Sequence, residues 1–291
     1  MSAAAASPKT RSEALVEAEF VLSRRNFENI AGLLRTESGI HLPESKAMLV
    51  YSRLAKRLRQ TGCPDFDAYW ELIDSPAGAQ ERQAMFAALT TNVTRFFREP
   101  HHFDHLKKTV LPELVATARA GGRVRLWSSA CSTGEEPYSI ALTVLDMLPE
   151  AARLDVKILA TDIDPVVVAT ARAGIYRADV QSVVPQPLRD KWLARDRESG
   201  AWKVKDEVKA LVTFNQLNLI GTWPIKGPFD VIFCRNVVIY FEDETQAHVW
   251  GRFHKMLAPE GRLYVGHSER VDVPGYVSDG LTVYRKTGGR A

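Results

Sequence analysis

The sequence predicts an α/β protein in two parts: a small all-helical amino-terminal domain, then a doubly wound parallel-sheet domain carrying a small antiparallel β insertion. Three observations predict it. From residue 20 to 118, apolar positions recur at intervals of three and four and strand-like alternation is missing, which is the period of helices packed on one face. From residue 122, short apolar runs alternate with helical stretches, the pattern of strands joined by crossover helices. Between residues 176 and 212 this rhythm breaks, because the stretch is too long for one crossover and too polar for a core helix.

The elements follow in order. The opening MSAAAASPKTRSEA lacks the long apolar core of a secretory signal, and residues 1–19 read as a disordered tail. Residues 20–90 form the helical domain. Within it, SKAMLVYSRLAKRLRQTG places Ala47, Tyr51, Leu54 and Leu58 on one side of a helix. Lys46, Arg53, Lys56, Arg57 and Arg59 occupy the opposite broad face, and Gly62 ends the helix. Residues 91–120 read as a linker and helix contributing to a site in the second domain, residues 121–291. The strands there are RVRLWSS, VKILATD, LVTFNQL, FDVIFCR, GRLYVGH and LTVYRKT. The helices between them are EEPYSIALTVLDML, PVVVATARAG and DETQAHVWGRFHKML. Inside the insertion AWKVKDEV alternates like a strand, which gives that segment hairpin character.

Composition limits the function classes. Of the 291 residues, 45% are hydrophobic and 25% charged, ordinary for a soluble globular protein, and no apolar run approaches the ~20 residues of a membrane span. Cys63, Cys131 and Cys234 are odd in number and too widely spaced for a disulfide framework or a zinc site, so a reducing, cytoplasmic compartment fits. A net charge of +3 does not demand a nucleic-acid partner.

In open parallel sheets, ligands bind beyond the carboxyl ends of the strands. The residues at those ends are Gly134 and Glu135, then Asp162 and Asp164, then Asn218, then Arg235 and Asn236. An acid ending the second strand suits the two hydroxyls of an adenosine ribose, and Asp162 stands there. Asp164, before Pro165, suits a helix cap. Gly134 stands alone, with no glycine fingerprint for a pyrophosphate. Glu135 and Glu136 in its place suggest an adenosine ligand that has no phosphate and a cationic end. S-adenosylmethionine is such a ligand, and Glu135 would meet its ammonium group. Taken alone, the two acids also read as first-turn residues complementing a helix dipole. The segment TTNVTRFFREPHHF adds Asn92, Thr94, Arg95 and Arg98, and an arginine there would hold the methionine carboxylate. Phe96 and Phe97 read as core residues. His101 and His102 read as helix-start residues rather than metal ligands, since no third ligand stands at a suitable spacing, and no metal is expected.

The motifs TNVTRFFREPHHF, WSSACSTGEEPYSIA, ATDIDP, FDVIFCRNVVIYF and GHSE, in that order, closely resemble the bacterial chemotaxis receptor methyltransferases, the CheR family of protein-glutamate O-methyltransferases. The likeness runs from about residue 27 to residue 285. It implies a Rossmann-like S-adenosylmethionine-dependent methyltransferase domain with a three-stranded insertion. The implied reaction is esterification of specific glutamates on the cytoplasmic helices of chemoreceptors for sensory adaptation, leaving S-adenosylhomocysteine. Carried over motif by motif, the cofactor contacts would be Asn92, Thr94, Arg98, Glu135, Asp162, Asn218, Leu219, Arg235 and Asn236. Arg98 and Tyr240 would lie nearest the transferred methyl group. The basic helix with Lys46, Arg53, Lys56, Arg57 and Arg59 would meet the receptor. The compact turn ARDRESGAW argues against tethering to a receptor's carboxyl-terminal peptide through the insertion, and a monomer with no membrane insertion is expected.

Two rivals remain in view. A nucleic-acid methyltransferase would fit the basic helix and a pI of 8.7, but the place of its N/D-P-P-Y/F/W tetrapeptide holds CRNVVIY. A non-catalytic sensor would keep cofactor binding and use the basic helix only to dock, yet no motif looks degraded.

Overall fold

The computed structural model describes residues 14–177 and 180–288. The chain divides into two compact units after Thr91.

The first unit opens with a hairpin, β1 (Ala14–Glu17) antiparallel to β2 (Val21–Ser23), followed by α1 (Arg24–Ser38), α2 (Ala47–Thr61), α3 (Phe66–Asp74) and α4 (Ala79–Leu89). The expected helical domain is present from Arg24 to Leu89, where every regular element is a helix; the hairpin precedes it, and the segment expected to be a disordered tail carries a strand from Ala14. Strands of four and three residues are too short to show a period, but they bury Val16 and Leu22 in the helical core. Residues 1–13 of the expected tail lie outside the described residues. Local signals set the helix limits. The Ser23 hydroxyl accepts from the Asn26 N–H at 3.2 Å to start α1, and the Asp65 carboxylate accepts from the Ala68 N–H at 2.8 Å to start α3. Gly62, at φ 74°, closes α2 in the left-handed region. Ala47, Val50, Leu54, Ala55 and Leu58 of α2 are buried, and Tyr51 is partly buried against Phe66.

The second unit begins with α5 (Pro100–His105), one wider turn over Leu106–Val110, and α6 (Leu111–Arg119). Then come β3 (Val124–Ser128), α7 (Glu135–Met147), β4 (Val156–Asp162) and α8 (Pro165–Ala173). The insertion follows: β5 (Ile175–Tyr176), α9 (Val180–Val183), α10 (Gln186–Trp192), β6 (Leu193–Arg195), β7 (Trp202–Val204) and α11 (Asp206–Lys209). The chain ends with β8 (Val212–Gln216), β9 (Phe229–Cys234), α12 (Asp243–Met256), β10 (Leu257–Val265), β11 (Tyr276–Gly280) and β12 (Val283–Lys286).

The main sheet has seven strands in the order β11-β12-β10-β9-β3-β4-β8. Neighbours from β10 to β8 are parallel, and β12 pairs antiparallel with both β10 and β11. β3 lies between β4 and β9, so the strand order reverses there and the loop after β3 opens into a crevice at the carboxyl ends. Burial on both faces explains the apolar runs: Leu126, Ile158, Val231 and Ile232 have no exposure. β11 has no counterpart among the expected strands. YVSDG pairs with β12 at the sheet edge, where its side chains are exposed or partly so, and it therefore carries no apolar period to mark it. The insertion folds as the antiparallel sheet β5-β7-β6, while the expected strand AWKVKDEV keeps only Trp202–Val204 and winds into α11 from Asp206. Among the described residues, no helix is long and apolar enough to cross a membrane.

Candidate cofactor site

The loop from Ser129 to Gly134 is tied to its neighbours by its own backbone. The Ser129 N–H donates to the Phe233 carbonyl, and the Cys131 N–H donates to the Thr161 carbonyl, each at 2.8 Å. Gly134, at φ 98°, precedes α7. A Cβ there would lie 2.7 Å from the Ala171 Cβ and 2.8 Å from the Tyr176 hydroxyl. Glycine is therefore needed for packing as well as for conformation. Gly134→Ala is expected to destabilise the protein by about 2–5 kcal/mol through left-handed strain and overpacking. A denaturant midpoint unchanged from wild type would contradict this.

Asp162 ends β4 and is nearly buried. Its Oδ2 accepts from the Ser132 N–H at 2.8 Å and its Oδ1 from the Asp164 N–H at 3.0 Å, so each oxygen keeps further acceptor capacity. Burial pushes its carboxyl above the usual range, against those backbone donors. Asp164 caps α8 as its position before proline implies: Oδ1 accepts from the Val166 N–H at 2.8 Å. Its Oδ2 accepts from Asn92 Nδ2 at 3.1 Å, and the Asn92 carbonyl accepts from the Ser132 hydroxyl at 2.8 Å. The segment starting at Asn92 is thereby fastened over the ends of β3 and β4. Glu135 is buried beside it, accepting from the Thr133 hydroxyl at 2.6 Å.

Behind these groups lies an ion network. Arg235 sits at the end of β9 with its side chain only 2% exposed. It meets Glu136 Oε2 at 3.0 Å and Glu99 Oε2 at 3.2 Å and donates to the Arg98 carbonyl. Burial pushes the Glu136 carboxyl up, with Arg235 pulling against it. At Glu99 the balance reverses: burial raises the carboxyl, but Arg235, His267 and His102 together hold it well below the usual range. Removing one member of such a buried group leaves an uncompensated charge, at a cost of about 3–5 kcal/mol.

The remaining expected residues are distributed as follows. Arg98 donates from Nη1 to the Val93 carbonyl at 2.9 Å, and Thr94 is half-buried in the same segment. Asn218 follows β8 and accepts from the Ile220 N–H at 3.1 Å, while Leu219 is buried and its carbonyl accepts from Arg252 at 2.8 Å. Asn236 adopts φ 59° directly after Arg235, and Tyr240 is half-buried at the end of the short turn Val238–Tyr240. Phe96 packs edge-on to Tyr176 at 4.9 Å and Phe97 to Phe103 at 5.1 Å.

Glu269 was not singled out, although it ends the quoted GHSE. It is 2% exposed and accepts from four backbone N–H groups, those of Gly266, Asn236, Val237 and Val238, at 2.5–2.9 Å. It thus holds the loop that carries Arg235, Asn236 and Tyr240. The signal was available, because it too lies just past the carboxyl end of a strand, β10. Glu99 and Ser132 were also missed. Phe97, Glu99, Ser132 and Asn236 adopt positive φ and make up four of the six such non-glycine residues described. Each costs about 1–3 kcal/mol, and all four lie in the Asn92–Glu99 segment or in the loops after β3 and β9.

In the first unit, the basic face of α2 is less free than its sequence suggests. Arg53 donates to the Leu89 and Thr90 carbonyls at 2.8 Å, closing the end of α4. Arg57 pairs with Glu81 and Arg59 with Glu19. Lys46 and Lys56 are exposed.

A seven-stranded sheet with an antiparallel edge hairpin, and acids at the ends of its first two strands where a phosphate site would carry glycines, defines an S-adenosylmethionine-dependent methyltransferase. Residues 92–279 match the family described as CheR methyltransferase, SAM binding domain, and residues 25–90 match CheR methyltransferase, all-alpha domain. The chain belongs to the CheR methyltransferase family. It is 54% identical over 260 residues to a probable chemotaxis protein methyltransferase of Rhizobium etli, covering 88% of this chain and 97% of that protein. It is 42% identical over 255 residues to the chemotaxis protein methyltransferase of Escherichia coli, covering 85% of each. It is also 41% identical over 271 residues to chemotaxis protein methyltransferase 2 of Pseudomonas aeruginosa, covering 91% of this chain and 94% of that protein.

Proposed function

We propose that this chain methylates specific glutamate side chains on the cytoplasmic helical region of chemoreceptors, forming methyl esters for sensory adaptation, in the cytoplasm. The observation that carries the reading is the pair of buried carboxylates, Asp162 and Glu135, at the crevice of a CheR-family domain. Asp162 keeps acceptor capacity for two ribose hydroxyls, and Glu135 supplies an anion for an ammonium group. Asn92, Thr94 and Arg98 come from the segment fastened over the crevice, and Asn218, Leu219, Arg235 and Asn236 from the loops after β8 and β9. Arg235 acts within this set by fixing the Arg98 backbone, since its guanidinium is engaged by Glu136 and Glu99.

When bound, S-adenosylmethionine supplies an electrophilic methyl group. A glutamate acceptor, with an unperturbed pKa near ~4.3, arrives already ionised and needs no general base. The protein's task is alignment and exclusion of water, and good alignment lowers the barrier by about 7–11 kcal/mol. Tyr240 offers a hydroxyl at the rim to orient the reacting groups. Tyr240→Phe is expected to lower turnover about tenfold, the worth of one hydrogen bond, with little change in S-adenosylhomocysteine affinity. Unchanged turnover would remove Tyr240 from the mechanism. For receptor contact, Lys46, Lys56 and Arg59 are the exposed members of the basic face, Arg59 through a surface pair with Glu19, and Arg53 and Arg57 would join them at the cost of their internal partners. The deciding experiment incubates the protein with methyl-labelled cofactor and receptor-containing membranes. Base-labile label on the receptor supports the reading, and absent or base-stable label refutes it.

A further inference from the structure

At the edge of the Arg235 network, a carboxylate and two imidazoles converge, and Glu99 Oε2 has the Arg235 guanidinium at 3.2 Å as its ionic partner. Glu99, His101 and His102 each offer a ligand atom, these atoms lie within 4.8 Å of one another, and His101 Nε2 and His102 Nδ1 are buried with no hydrogen-bond partner. His102 has no exposure at all. Its other ring nitrogen meets the Thr282 hydroxyl at 2.8 Å, and that hydroxyl also lies 2.7 Å from the Leu281 carbonyl. With the ring proton on Nε2, Nδ1 presents its lone pair 3.5 Å from Glu99 Oε2, the tautomer in which a cation between them is held by both and by His101 Nε2.

We propose that Glu99, His101 and His102 form a binding site for one divalent transition-metal ion of the zinc type. Two imidazoles and one carboxylate are the donors such ions prefer, whereas calcium and magnesium favour sites made of oxygen. Thr282 holds the His102 ring from behind, as outer hydrogen bonds do at metal-binding histidines. The local charge is suitable: Glu99 and Glu136 carry two negative charges against one positive charge on Arg235. The ion takes over Glu99 Oε2, and Arg235 keeps Glu136 at 3.0 Å. Metal–ligand distances of ~2.0–2.2 Å require the donors to close by about 1 Å. His101, only partly buried, is free to make that movement. The exposed His267 ring lies 3.2 Å from the other Glu99 oxygen. The sequence hides this site because a search for separated ligands passes over three donors within four residues. The left-handed turn at Glu99, φ 59°, folds its carboxylate back onto the ring nitrogens.

The test is a titration of the full chain, free of any affinity tag, with cobalt(II), followed by visible absorption and by displacement with zinc. The expected result is one saturable equivalent with ligand-field absorption. His101→Ala and Glu99→Gln should each weaken binding at least about tenfold and change the spectrum. His41→Ala, on the other unit, should leave both unchanged. His102→Ala removes a fully buried ring and is read only together with these milder variants. Lack of saturable binding by wild type would overturn the proposal. So would wild-type binding by His101→Ala, or loss of binding in His41→Ala.

Discussion

Asp162→Ala is expected to weaken S-adenosylhomocysteine binding by roughly 10²–10⁴-fold in calorimetric titration. The magnitude follows from two hydroxyl-to-carboxylate hydrogen bonds at about 1.5–3 kcal/mol each. Some of the loss will be structural, because the carboxylate also accepts from the Ser132 and Asp164 N–H groups. Asp162→Asn separates the two roles. It keeps one acceptor and nearly the same shape, so its affinity should fall between those of wild type and Asp162→Ala while its melting temperature stays near wild type. Wild-type affinity in Asp162→Ala would remove the ribose contact from the proposed function.

That prediction rests on a residue legible in the sequence, and the reason is general. An acid or base after an apolar run in an alternating α/β pattern has a fixed place, the carboxyl end of a parallel strand, so the positions of Asp162, Glu135 and Arg235 follow from the order of residues alone. Periodicity likewise revealed the buried strands and the long helices, since burial on defined faces is what creates a period. It failed where elements are short or at an edge: β1 and β2 have too few residues, and β11 has too little burial. Charge reading failed in another way. The basic face of α2 looked open because its partners, Glu19, Glu81 and the end of α4, are 20 to 40 residues away in the chain. The pairing of Arg235 with Glu136 and Glu99 was hidden for the same reason, being a property of the sheet order rather than of local spacing.

Glu269 shares the legible place of those acids, just past a strand, but three of the four N–H groups it serves lie 31 to 33 residues away, and it carries the second large effect. Glu269→Ala leaves four backbone N–H groups without their acceptor. Each unsatisfied donor costs about 1–3 kcal/mol, and water entering the vacated space recovers part of it. A net loss of at least about 3 kcal/mol is therefore expected, which for a protein of this size lowers the melting temperature by roughly 6–12 °C. The loop thus released bears Arg235, Asn236 and Tyr240, so methyl transfer should fall further than S-adenosylhomocysteine affinity, most of whose proposed contacts lie on other strands. Glu269→Gln tells anion from volume. The glutamine amide fills nearly the same space but turns an N–H group towards two of the four donors, so its turnover should drop close to that of Glu269→Ala. If Glu269→Gln instead worked at the wild-type rate, the negative charge would be irrelevant and filling the space would be the whole of the residue's contribution.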